Sequence, residues 1–184
     1  MENELKELLK ISQEKKSLPP DAIPDLELYM DQIIALMQRY LGDGEKEPLT
    51  RTMIHNYSKA GLITPVKGKK YTKEQVLQML SIYHLKKTLS IAQITRVLSA
   101  MTQEPEGTLA DSFEKQIAWR GTLNEQLTKG FDELMGEYHI SVDNAQDAFT
   151  FLLMLTDISD TFSHFAAQVA MKYFPDPPAK HKKK

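Results

Sequence analysis

The chain has no cysteine. That excludes a disulfide framework, a thiol nucleophile and thiolate metal sites, and it fits a reducing cytoplasm. Long apolar runs are missing too: the most apolar stretch, Ala148 to Leu155, is closed by Thr156 and Asp157. A spanning helix needs ~20 such residues, so no membrane segment is expected. The opening MENELKELLK is charged throughout and lacks the apolar core of a secretory signal, so a cytoplasmic location is expected. Catalytic signatures are absent as well. With no Gly-rich phosphate loop, no nucleophile motif and no well-spaced carboxylate pair, neither an enzyme nor a cofactor is expected.

What is present is an ordinary globular composition with an uneven charge map. The 184 residues, 41% hydrophobic and 26% charged, suffice for one large domain or two small ones. Between Leu49 and Leu98, nine bases (Arg51, Lys59, Lys67, Lys69, Lys70, Lys73, Lys86, Lys87 and Arg96) face one acid, Glu74, a net of +8 in a chain of net -2. Residues 1–48 carry six bases and eleven acids, and residues 99–176 carry four and thirteen. A basic block between acidic ones is what a surface that faces a polyanion on one side would show, and duplex DNA is the expected partner. The bland alternative is a solvated basic face.

The same segment also carries helix signals. Met53, Ile54, Tyr57 and Ala60 share one side of a helix starting at Thr50, with Arg51, Thr52, His55 and Lys59 opposite. Gly61 suits a left-handed helix end, and Pro65 prevents the helix from resuming. Val66 to Tyr71, VKGKKY, reads as a tight hairpin or loop around Gly68. Two further helices are announced by Thr72 with Gln75 and by Ser90 with Gln93, the spacing of a capping box.

These residues resemble the MerR-like winged helix-turn-helix family. Ile54, Tyr57, Gly61-Leu62-Ile63, Pro65, Tyr71, Leu89-Ser90 and Ile94 follow its order of helix, Tyr, Gly-Leu-hydrophobic, Pro, wing, aromatic, helix and Leu-Ser-x-x-x-Ile. The chain departs from the family in reading His55-Asn56-Tyr57-Ser58 where Arg-Tyr-Tyr-Glu is usual, and in a shorter wing with Lys in place of Arg. IPDLELYMDQI, NYSKAGLITP and the Lys-rich wing are also similar to a narrower bacterial family, domain of unknown function 1836, from about Ile23 to the C-terminal helix; that resemblance implies no activity. The MerR-like resemblance implies a helix in the major groove and a wing on phosphates. Arg51 and Lys59 would then reach base edges or phosphates, Thr52, His55 and Asn56 would read base edges, and Lys67, Lys69, Lys70 and Tyr71 would hold phosphates.

Around this segment the pattern predicts an N-terminal helical arm over 1–22, with Leu5, Leu8 and Leu9 at helical spacing. A helix is expected from Pro24, presenting Leu26, Tyr29, Met30, Ile33, Met37, Tyr40 and Leu41 inward, and a turn over GDGEKEP. Val76, Leu77, Leu80, Tyr83 and His84, then Ile91, Ile94, Val97, Leu98 and Met101, would close a four-helix core in a domain spanning 23–101. Residues 102–108, with Pro105 and Gly107, read as a linker. An all-α region over 109–174 and a basic tail over 175–184 follow.

In the all-α region, Phe113, Ile117, Leu123, Leu127, Phe131, Leu134 and Tyr138 form a stripe on a helix of about 30 residues. Gly121, Gly130 and Gly136 each weaken that helix by ~1 kcal/mol relative to Ala. The last helix, from about Val142 to Phe174, is apolar on most faces, which predicts a homodimer through this region. Asp157, Asp160 and His164 share a helical face, but with no second ligand-bearing helix they read as a polar stripe rather than a metal site. His84 reads as a core histidine and His139 as a helix end. A small-molecule effector pocket among Phe113, Trp119, Phe149, Phe151 and the nearby Met residues is the minority reading, because such residues at helical spacing ordinarily make core.

The fold class expected is therefore mainly α: a MerR-like winged helix-turn-helix domain followed by an all-α C-terminal region. DNA-binding transcriptional regulation is the expected function. The alternative is a helical interaction or scaffold protein that kept the core without binding DNA.

Overall fold

A computed structural model describes residues 2–14, 16–42, 48–66, 68–137 and 141–176. The chain is mainly helical: α1 (Glu2–Gln13), a 3-10 turn (Pro20–Ala22), β1 (Leu28–Tyr29), α2 (Met30–Leu41), α3 (Arg51–Ala60), β2 (Lys70–Tyr71), α4 (Lys73–Leu85), α5 (Ile91–Met101), α6 (Thr108–Glu137) and α7 (Ala145–Tyr173). It divides into two compact units, one within Met1–Lys16 and Lys115–Phe162, the other within Ser17–Glu114 and Ser163–Lys184. The division falls inside α6 and α7, while the stretch read as a linker is a turn leading into α6.

The larger unit is built around α4. Val76, Leu77, Met79, Leu80 and Ile82 are at most 1% exposed, so this helix is buried on every side and must lie at the centre. Ile33, Met37 and Leu41 of α2, Ile54 of α3, and Ile94 and Leu98 of α5 join it in one core with Leu109 and Ala170. Leu18 and Ile23 belong to the same core, so the Leu-Pro-Pro segment is packed rather than part of a free arm. Both capping boxes form as their spacing predicts. The Thr72 hydroxyl accepts from the Gln75 N–H at 3.3 Å and the Gln75 side chain accepts from the Thr72 N–H at 2.9 Å; Ser90 and Gln93 repeat the arrangement at 3.3 and 2.8 Å.

The helix predicted from Pro24 starts at Met30, because Leu28 and Tyr29 are held extended opposite Tyr71 and Lys70 in an antiparallel pair. The Gln32 side chain instead accepts from the Tyr29 N–H at 2.8 Å, closing the first turn there. Leu26, expected to face inward, is 76% exposed as a result. Of the two readings of the 66–71 segment, the described residues fit the loop: Gly68 and Lys69 form a turn and β2 takes its partner from β1. Ala60 and Ile91 are exposed, each at the end of its helix beyond reach of the core. The acids of GDGEKEP, with Tyr138, His139 and the KHKKK tail, lie outside the described residues.

The smaller unit comprises α1 and parts of α6 and α7. Gln13 ties α1 to α6, donating to the Asn124 carbonyl at 3.2 Å and to the Thr128 hydroxyl at 3.1 Å. Lys6 and Asp132 add an ion pair at 3.3 Å, and Phe131 meets Phe151 edge-on with ring centroids 5.9 Å apart. As the stripe predicts, α6 is one helix through all three glycines. The last helix begins at Ala145 rather than Val142, because the Asn144 side chain accepts from the Gln146 and Asp147 N–H groups at 2.9 and 3.0 Å, an N-cap that fixes the start. Many apolar groups of this unit remain open, among them Trp119, Leu123, Phe149, Leu152 and Leu153.

Candidate nucleic-acid interface

α3 is framed by its two ends. The Thr50 hydroxyl accepts from the Met53 N–H at 3.2 Å, and Gly61 takes φ 78 at the C-terminal end, a left-handed conformation that a residue with a Cβ adopts at a cost. Ile54 is fully buried, with Met53 and Tyr57 half-buried beside it. That inner face turns Arg51, Thr52, His55, Asn56 and Lys59 outward, and all five are exposed.

Two glutamines of α4 hold the following loop. Gln78, 1% exposed, accepts from the Thr64 N–H at 2.8 Å and the Thr64 hydroxyl at 3.2 Å. Gln75, besides capping α4, donates to the carbonyls of Thr64 and Pro65 at 3.1 and 3.2 Å. Buried polar groups are tolerated when they are bonded in this way, and the bonds fix where the loop leaves α3. Below the loop, a cleft of ≈ 600 Å³ is lined by His55, Ser58, Leu62, Ile63, Thr95 and Leu98 among others.

The basic segment beyond the loop splits by face. Alternation along β2 puts Lys70 outside and Tyr71 inside. Tyr71, predicted as a phosphate contact, is instead a core residue at 7% exposure, and burial raises its phenol above the ordinary value. Lys69 and Lys70 are exposed, with the Lys70 ammonium 5.1 Å from the centre of the Tyr29 ring. Lys67 lies outside the described residues.

Not all of the segment's charge is available to a ligand. Arg51 is paired with Asp31 at the start of α2, and Lys73 with Asp25 at 2.9 Å. Arg96, with 14% of its side chain exposed, lies 3.1 Å from Asp176 and also donates to the Phe174 carbonyl. All three acids come from outside the basic segment, so a count along the chain misses them. Among the described residues no acid is paired with Lys59, Lys69 or Lys70.

Lys86 and Lys87 lie over the Tyr83 ring at 5.6 and 4.6 Å. Burial, and then the neighbouring Lys87, lowers the Lys86 pKa. Both belong to the basic block between Leu49 and Leu98, and neither is among the expected DNA contacts. His84 is half-buried beside the Tyr83 and Phe113 rings, at 5.3 and 5.9 Å. Among the described residues no three His, Asp or Glu side chains gather as a metal site, and no helix is long and apolar enough to cross a membrane.

The fold is thus a mainly helical protein with a two-stranded pairing and an exposed, basic helix face. The chain belongs to the family described as Domain of unknown function (DUF1836), whose family model matches residues 18–116. No curated protein and no solved structure matches it.

Proposed function

We propose that residues 23–101 form a MerR-like winged helix-turn-helix domain and that the protein is a cytoplasmic DNA-binding transcriptional regulator. The observation that carries this reading is the outer face of α3, where Thr52, His55, Asn56 and Lys59 are exposed while Ile54 anchors the helix in the core. Lys69 and Lys70 add exposed positive charge with no acid paired to either among the described residues. In this reading α3 enters the major groove, His55, Asn56 and Thr52 meet base edges, and Lys59, Lys69 and Lys70 meet phosphates. Arg51 takes part by exchanging Asp31 for a phosphate or a base.

The second reading is a helical scaffold that retains the core without DNA. What favours it is the neutralisation of Arg51, Lys73 and Arg96 by Asp31, Asp25 and Asp176. A salt titration with random duplex separates the two. Binding should weaken with a log-log slope of ~-0.9 per phosphate neutralised, and Lys69→Ala with Lys70→Ala should flatten the slope by ~1 to 2. An unchanged slope removes those lysines from the interface, and no binding at low salt leaves the scaffold.

A further inference from the structure

We propose that the smaller unit is a homodimerisation module in which a second copy of the chain covers one apolar face of α6 and α7. Two stripes leave the Phe131–Phe151 contact. Along α7, Phe151, Leu155, Ile158 and Phe162 recur at i, i+4, i+7 and i+11, one side of a helix. Phe151 is 8% exposed, yet its continuation is open: Leu155 38%, Ile158 41% and Phe162 64%. Along α6 the stripe runs back from Phe131 through Leu127, Leu123 and Trp119, which are 47%, 57% and 70% exposed. A stripe that is core at one point and open on either helix beyond it is a core left half built.

The occupant follows from size. These six open side chains expose roughly 600 Å², taking ~150–250 Å² for a large side chain when fully open. That reaches the upper end of the ~300–600 Å² found for the largest patch on a monomer. With a rim it matches the ~800 Å² each partner gives a standard interface. The α7 stripe has no charged side chain among its members, and on α6 the charge within the stripe's sector is Arg120, which donates to Gln116 at 3.2 Å; two copies meeting about a twofold axis would each supply the helix pair that the other lacks. The proposal does not depend on whether α3 meets DNA.

Light scattering on the full chain without DNA, together with the emission of its single tryptophan, Trp119, tests it. At micromolar concentration the mass should be twice 21.0 kDa, and Trp119 emission should lie at short wavelength and move to longer wavelength on dilution. Leu123→Glu with Ile158→Glu should give a monomer with red-shifted emission and unchanged helix content by circular dichroism. Phe162→Gln alone, a milder change, should weaken the dimer at least tenfold if the glutamates disturb folding. A mass of 21.0 kDa at every concentration, or a dimer indifferent to these substitutions, overturns the proposal.

Discussion

Around α4, side chains from α2, α3 and α5 close over the central helix until Ile33, Met37, Ile54, Val76 and Leu80 are 0% exposed; among the described residues of the unit built from α1 and parts of α6 and α7, the buried side chains are Met135 and Phe151, at 6% and 8%. Both regions are helical and both are rich in Leu, Ile and Phe, so composition does not separate them. The difference lies in how many elements meet. A central helix covered on all sides hides its whole circumference, whereas helices packed along one line leave the rest of their apolar surface to water. The first arrangement is self-sufficient, and the second is stable in proportion to what else covers it.

The sharpest way to break this comparison is a matched pair of truncations. Leu80→Ala should cost ~2–5 kcal/mol in urea unfolding followed by circular dichroism, since the cavity it leaves is fully enclosed. Leu152→Ala, at a site 58% exposed, should stay within ~0.5 kcal/mol when read under conditions where the chain is monomeric. Equal losses at the two sites would mean that the two regions are packed alike.

A smaller effect is expected from the polar part of the dense core. Gln78→Ala strips the Thr64 N–H of its acceptor and should cost ~1–3 kcal/mol by the same unfolding assay. A wild-type midpoint would show that water replaces the glutamine and that the loop does not depend on it.

Smallest is a pH effect at Glu74, the lone acid of the basic segment. Its carboxyl is raised above the ordinary value by burial first and by Glu106 second. The stability linked to the proton it holds is therefore complete below the ordinary carboxylate pKa and is lost as pH rises through the raised one. Glu74→Gln should lift Tm by about 1–2 °C near neutral pH and leave it unchanged near pH 4, a modest gain because the group is only partly buried. A lift that is the same at both pH values would assign the gain to helix propensity instead.

What could be read from the sequence was what is encoded locally. The Gly61 terminus and the two Gln-closed capping boxes each involve residues a few positions apart, and each stands as its spacing predicts, while the helix expected from Thr50 starts at Arg51 with Thr50 as its cap. The 30-residue length of α6 was likewise legible from its stripe. Features that join distant segments were not. Nothing near Leu28 announces Tyr71, so periodicity carried the second helix back to Pro24. A glutamine that caps a helix looks the same whether or not its amide also holds a loop, and Gln78 carries no signal of burial at all. The pairing of Arg51, Lys73 and Arg96 with Asp31, Asp25 and Asp176 was invisible for the same reason, and it trims the charge that the basic face presents. Tyr71 was misplaced because the aromatic of a two-residue strand points inward or outward according to register, which only the partner strand fixes.

The two-stranded sheet bears on the order in which the protein folds. Pairing Leu28 with Tyr71 and Tyr29 with Lys70 closes a loop of about forty residues, and such closure carries an entropic cost that short-range turns and caps avoid. The helices α2 and α3 can form early from local signals, but the position of Lys69 and Lys70 waits on a contact of long sequence separation and is among the later features to be set. A chain shortened to begin after Tyr29 would keep the caps of α3, α4 and α5, yet it would lose α1, the Tyr29 end of the α2 cap and the strand against which the lysines are registered.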